Sequence, residues 1–158
     1  MAWEFHVLVV ANVTATSDDL IAALRERSER GTCRFTLVMP RSGTGTGPQL
    51  DQALEAWRAG GLENVSGRTG DTDPIVATME TWDPMEFDEI VVSTLPTGSS
   101  RWLGLDLPHR LEKLTSVAVH HVVSTPPRTE VQWERPPERE KYGVLSPLAA
   151  ALTRKNPS

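Results

Sequence analysis

The sequence predicts an α/β domain, a parallel sheet with helices on both faces, followed by an extended C-terminal arm. Three observations predict it. Short, valine-rich apolar runs recur between residues 5 and 123. Stripes of apolar residues at helical spacing stand between them. A strand, hydroxyl-rich loop, helix, strand unit fills residues 87–123. Strict alternation of short strands and helices implies right-handed crossovers and a sheet covered on both sides. The domain is expected over residues 1–124 and the arm over residues 125–158.

Residues 5–11 are nearly continuous apolar sequence, which suits a strand buried on both faces, with His6 interrupting it near the start. Thr16-Ser17-Asp18-Asp19 has the hydroxyl-x-x-acid spacing of a capping box; Leu20, Ile21 and Leu24 follow at helical spacing, and Gly31 is the stop. The second strand is residues 34–39, ended by Pro40. Pro48 fits a first helical turn, and Leu50, Ala53, Leu54 and Trp57 form one apolar stripe that Gly60-Gly61 ends. Residues 62–66 read as a weak third strand. Asp73-Pro74 reads as N-cap and first helical residue, with Ile75, Val76 and Met79 behind it and Pro84 closing the region. Ile90, Val91 and Val92 mark the fourth strand. Leu107, Leu111 and Leu114 share a helical stripe, and residues 117–123 are a β-branched fifth strand. The arm carries Pro126-Pro127, Pro136-Pro137, a charged run at 138–141, Trp133 and an apolar patch at 142–152, which suits docking on its own or a partner subunit.

Composition bounds the function. The chain has 158 residues and a formal net charge of −5, and its basic residues are scattered, so a broad nucleic-acid surface is not expected. Cys33 is the single cysteine, which excludes an intrachain disulfide and a cysteine-based zinc site. Residues 1–6 lack a basic lead, and the apolar run behind them is too short for a signal peptide or membrane span. A cytoplasmic protein without membrane partners is the expectation.

The polar loop at 93–100 would stand at the carboxyl edge of the sheet, where backbone N–H groups and helix N-termini meet ligands, often phosphorylated ones. Thr94, Thr97, Ser99 and Ser100 are donors there, and Arg101 can pair a phosphate or carboxylate bidentately. The bland alternatives are a solvated arginine and serines that serve the turn and helix cap. Gly43-Thr44-Gly45-Thr46-Gly47 lacks the ending of a Walker motif and reads as a surface connector or a lid. Neither Ser93 nor Ser100 sits in G-x-S-x-G. His120 and His121 are adjacent on a strand and point to opposite faces, so they cannot share one metal, and none is expected.

In this order of elements the chain resembles the universal stress protein family, within the adenine-nucleotide-binding α/β folds, over residues 5–123. Val9-Val10-Ala11-Asn12-Val13-Thr14 matches the family's opening strand, with Asn12 where members carry Asp. Glu89-Ile90-Val91-Val92-Ser93-Thr94 matches the acid, apolar strand and small-residue loop, and Val117-Ala118-Val119-His120-His121-Val122 the last strand. The resemblance implies a Rossmann-like, five-stranded parallel sheet of order 3-2-1-4-5 and a homodimer through the last strand. It implies a nucleotide site over Asn12, Val38, Ser93, Thr94, Gly98, Ser99, Ser100 and Arg101. The family's ATP motif, G-x-x-G, nine residues, then G-[S/T], is degenerate here: Ser93 and Pro96 stand at the first two glycines and Asp106 near the last pair. A carboxylate at a helix N-terminus takes the N–H bonds a phosphate would take, so AMP or another small adenine nucleotide is expected over ATP.

The expected function is a non-enzymatic, stress-linked or regulatory protein with a degenerate nucleotide site. Two other readings stand beside it, a protein-interaction module whose pocket is closed by Leu95 and Trp102, and an adenylate-handling enzyme. No catalytic residue is assigned.

Overall fold

The computed structural model describes residues 3–43, 45–96 and 100–125. Its strands are β1 (Phe5–Val10), β2 (Cys33–Pro40), β3 (Val65–Gly70), β4 (Glu89–Thr94) and β5 (Val119–Val123). Between them lie α1 (Asp18–Glu29), α2 (Thr46–Ala59), α3 (Pro74–Thr81), α4 (Arg101–Gly104) and α5 (Leu107–Thr115). Every pairing is parallel and the sheet order is β3-β2-β1-β4-β5, as expected. The expected arm, from residue 126 on, lies outside the described residues.

The period of two along a strand divides the core. Val7 and Val9 of β1 face α1 and α2, packing with Leu20, Leu24, Leu50 and Trp57. Leu8 and Val10 face the other way, onto Ala77 of α3 and Leu107 and Leu111 of α5. Both faces of β1 are fully buried, so its near-continuous apolar run is what the position demands. Trp57 is completely buried and donates its indole N–H to the Ala15 carbonyl at 2.8 Å, so its polar end is satisfied.

Four local expectations are corrected. Ser17, not Thr16, caps α1: its hydroxyl accepts the Asp19 N–H at 3.1 Å. The Asp19 carboxylate does not fold back to close a box but accepts from the Thr125 N–H and hydroxyl, at 3.1 and 3.2 Å. The third strand begins at Val65 rather than residue 62, because the Leu62 N–H bonds the Trp57 carbonyl and its side chain is buried under the end of α2. In α3 the Asp73 cap holds, accepting from the Ile75 and Val76 N–H groups, but the buried face is Pro74, Ala77 and Thr78, and Val76 points to solvent. In α5 Leu107 and Leu111 are buried while Leu114 is 54% exposed, since this end of the helix lies over the edge strand β5. No helix among the described residues is long and apolar enough to cross a membrane.

Candidate functional site

β1 and β4 are neighbours, yet the chain leaves β1 towards β2 and β4 towards β5. Such a reversal opens a crevice at the carboxyl ends of the two strands. A cleft of about 450 Å³ occupies it, lined from the end of β1 by Asn12, Val13 and Thr14, from the end of β2 by Pro40, Arg41 and Ser42, and from β4 by Ser93 and Thr94. Leu95, Ser100, Arg101 and Trp102 complete that side, and Thr72 the other.

Of the residues the sequence singled out, Asn12, Ser93, Thr94, Ser100 and Arg101 meet in this cleft. Val38 does not line it; its side chain is fully buried in the core with Leu8 and Val10. Gly98 and Ser99 lie outside the described residues. Leu95 and Trp102 are part of the wall and leave the cleft open beside Asn12.

The polar groups divide into those already engaged and those left exposed at the cleft. The Asn12 amide donates to the Pro40 carbonyl at 2.7 Å, tying the ends of β1 and β2 and leaving its oxygen as the remaining acceptor. Ser93 is the middle of a buried hydroxyl chain, 2.6 Å from Thr14 Oγ1 and 3.0 Å from Ser124 Oγ. The Ser100 hydroxyl accepts the Leu103 N–H at 3.2 Å and so caps α4. Thr94 Oγ1 lies 2.6 Å from Nε2 of His121, on β5. Arg41 and Arg101 are exposed, and no ion pair forms on either among the described residues.

The role expected of Asp106 is not met. It is the N-cap of α5, but in the left-handed region at φ 56°, and its side chain makes no capping bond. Nor does it line the cleft; the helix beginning at the cleft is α4, capped by Ser100. Sequence reading also missed Arg41, although its position directly behind a strand ended by Pro40 was the available signal. Cys33 is buried at the opposite end of β2, where desolvation raises its thiol above the ordinary range, the wrong direction for a reactive thiolate.

The fold is that of universal stress proteins. A crystal structure of a universal stress protein in complex with cAMP superposes with a TM-score of 0.60 at 18% identity, over 79% of this chain and 100% of that one. The crystal structure of protein Rv1636 from Mycobacterium tuberculosis aligns with a TM-score of 0.45 at 20% identity, over 77% of this chain and 95% of that one. No protein-family model and no curated protein matches the sequence.

Proposed function

We propose that the chain belongs to the universal stress protein family and is a non-enzymatic, stress-linked regulatory protein that binds a small adenine nucleotide in this cleft. The observation that carries the reading is charge. Arg41 and Arg101 both line the cleft, and among the described residues no Asp or Glu lines it. A site with two cations and no carboxylate favours an anion, and a guanidinium fork matches phosphate oxygens. The solved neighbour bound to cAMP supports an adenylate as that anion. The Asn12 oxygen then faces the base, while Arg101, Ser100 and Thr94 face the phosphate.

A longer phosphate chain fits less well. Pro96 has no N–H to offer, where the family's motif places a glycine. AMP or a cyclic nucleotide is therefore the preferred ligand over ATP. The non-enzymatic part is supported by the hydroxyls: those of Ser93 and Ser100 are held in structural bonds. A cytoplasmic homodimer is part of the same proposal. β5 is an edge strand, and Val123 on it is 50% exposed, which suits pairing with a second copy.

Thermal-shift titration with AMP, cyclic AMP, adenosine and ATP, with and without Mg²⁺, tests the ligand. A ligand that binds only the folded state raises the melting temperature by mass action. Stabilisation by AMP or cyclic AMP above that by ATP is expected. No shift at millimolar concentration with any of them would sink the nucleotide reading, and stabilisation only by Mg·ATP would reverse the preference.

A further inference from the structure

Resting on that reading of the cleft, we propose that His121 is a positioning residue that sets whether the Thr94 hydroxyl donates to, or only accepts from, a ligand in the cleft. The geometry is specific. Thr94 and His121 lie diagonally on one face of the β4–β5 pair, with Thr94 opposite Val123 and His121 opposite Val92. Their polar atoms are 2.6 Å apart. Thr94 lines the cleft and is almost fully buried; His121 is exposed on the edge strand, outside the cleft lining.

A hydroxyl has one proton to give and two lone pairs. With the imidazole neutral and Nε2 unprotonated, Thr94 donates to His121, and only oxygen lone pairs remain for the cleft. Those repel a phosphate oxygen. With the imidazole charged, Nε2–H donates to Thr94 Oγ1, and the threonine proton is free to bond an anion. Protonation at the edge strand thus converts an acceptor in the cleft into a donor. Ser93 offers no such change, because both its partners are hydroxyls.

The surroundings leave this histidine to act alone. Its neighbour His120 faces the other side of the sheet and pairs with Glu89 at 3.0 Å. The helices of the His121 face, α4 and α5, and the turn between them carry Arg101, Asp106, His109, Arg110, Glu112 and Lys113, and none forms an ion pair with His121 among the described residues. On the far face α1 carries Asp18, Asp19, Arg25, Glu26, Arg27 and Glu29, with Arg27 engaged by Glu89. No carboxylate holds the other imidazole nitrogen among the described residues, so the pair lacks the third member of a nucleophilic triad.

The test uses the full chain and cyclic AMP, whose phosphodiester keeps a single charge across the range in which histidine titrates, about pH 5 to 8. Calorimetric affinity in wild type should be on the order of tenfold tighter at about pH 5.5 than at about pH 8, the worth of one charge-assisted bond. That slope should vanish in both His121→Gln and Thr94→Val and persist in His120→Gln. Independently of ligand, nitrogen-resolved NMR of the imidazoles should show Nε2 of the neutral His121 ring unprotonated. A neutral Nε2–H form at high pH would overturn the proposal. So would a wild-type slope that survives in Thr94→Val, and in that case the cleft would still be a nucleotide site. No cyclic AMP binding at either pH would remove the site reading and this inference with it.

Discussion

The Arg27 guanidinium donates twice to one carboxylate oxygen of Glu89, from Nε at 2.8 Å and from Nη2 at 2.6 Å. The pair joins the last turn of α1 to the first residue of β4, and both side chains are largely out of water, 17% and 11% exposed. The guanidinium also lies 4.7 Å over the Phe5 ring. Glu89 raises the Arg27 pKa first by this hydrogen bond, so the arginine stays charged. Removing one partner leaves the other charge partly buried. Glu89→Ala is expected to cost about 3 kcal/mol of stability in urea unfolding. Arg27→Met combined with Glu89→Leu should recover much of that loss. A single-mutant cost below about 1 kcal/mol would show the pair to behave as a surface bridge.

His6 makes stability depend on pH. It is 4% exposed, its ring tilted at 38° against Phe87 with centroids 4.2 Å apart, and Nε2 lies 2.7 Å from Thr36 Oγ1. Burial, then Arg34, push its pKa below the ordinary 6.5, against the weaker opposite pull of Glu86, Asp88 and Glu4. The unfolded chain therefore binds a proton sooner than the fold does. Stability present above 6.5 is lost as pH falls through the folded value. The urea midpoint of wild type should fall between about pH 7 and pH 5, and His6→Gln should flatten that part of the profile. An unchanged slope in the variant would remove His6 as the cause.

Gly70 ends β3 where α3 crosses it. A Cβ there would stand 2.6 Å from Ala77 Cβ and 3.0 Å from its Cα, and helix backbone cannot yield as a flexible side chain can. Gly70→Ala is expected to lower stability by about 1–3 kcal/mol. A neutral effect would show that α3 can slide along the sheet.

Asp106 sits at φ 56° without a compensating side-chain bond. Asp106→Gly should raise the thermal midpoint, by relief of about 0.5–1 kcal/mol of left-handed strain. Because Asp106 does not line the cleft, nucleotide affinity should not change. A gain in ATP affinity in this variant would restore the expectation drawn from sequence.

Arg41 reaches the cleft from the end of β2 and Arg101 from the first residue of α4. Replacing either by Gln should weaken cyclic AMP binding about tenfold, one charge-assisted bond each, and leave the unliganded melting temperature near that of wild type. Equal affinity in the double variant would show the anion to sit elsewhere.

Much of this molecule was legible without its tertiary structure. Runs such as 7–11 and 90–92, the stripe Leu50–Ala53–Leu54–Trp57 and the Asp73-Pro74 cap are local patterns, each set by a period of two, by helical spacing or by an N-cap bond, and together they fix the element order. That Asn12, Ser93, Thr94, Ser100 and Arg101 would meet around one cleft was legible because the segments leaving strands at a switch point converge whatever the side chains are.

What the sequence alone determined is this alternation of strands and helices, because propensity and periodicity act between residues a few places apart. Only the tertiary structure decided which distant groups meet: Arg27 with Glu89, Thr94 with His121, Asp19 with Thr125, and Arg41 with Arg101 around one cleft. It also gave the capping of the cleft helix to Ser100 rather than the role foreseen for Asp106. Such pairings depend on register and helix placement, and one residue of strand register turns a side chain to the opposite face of the sheet.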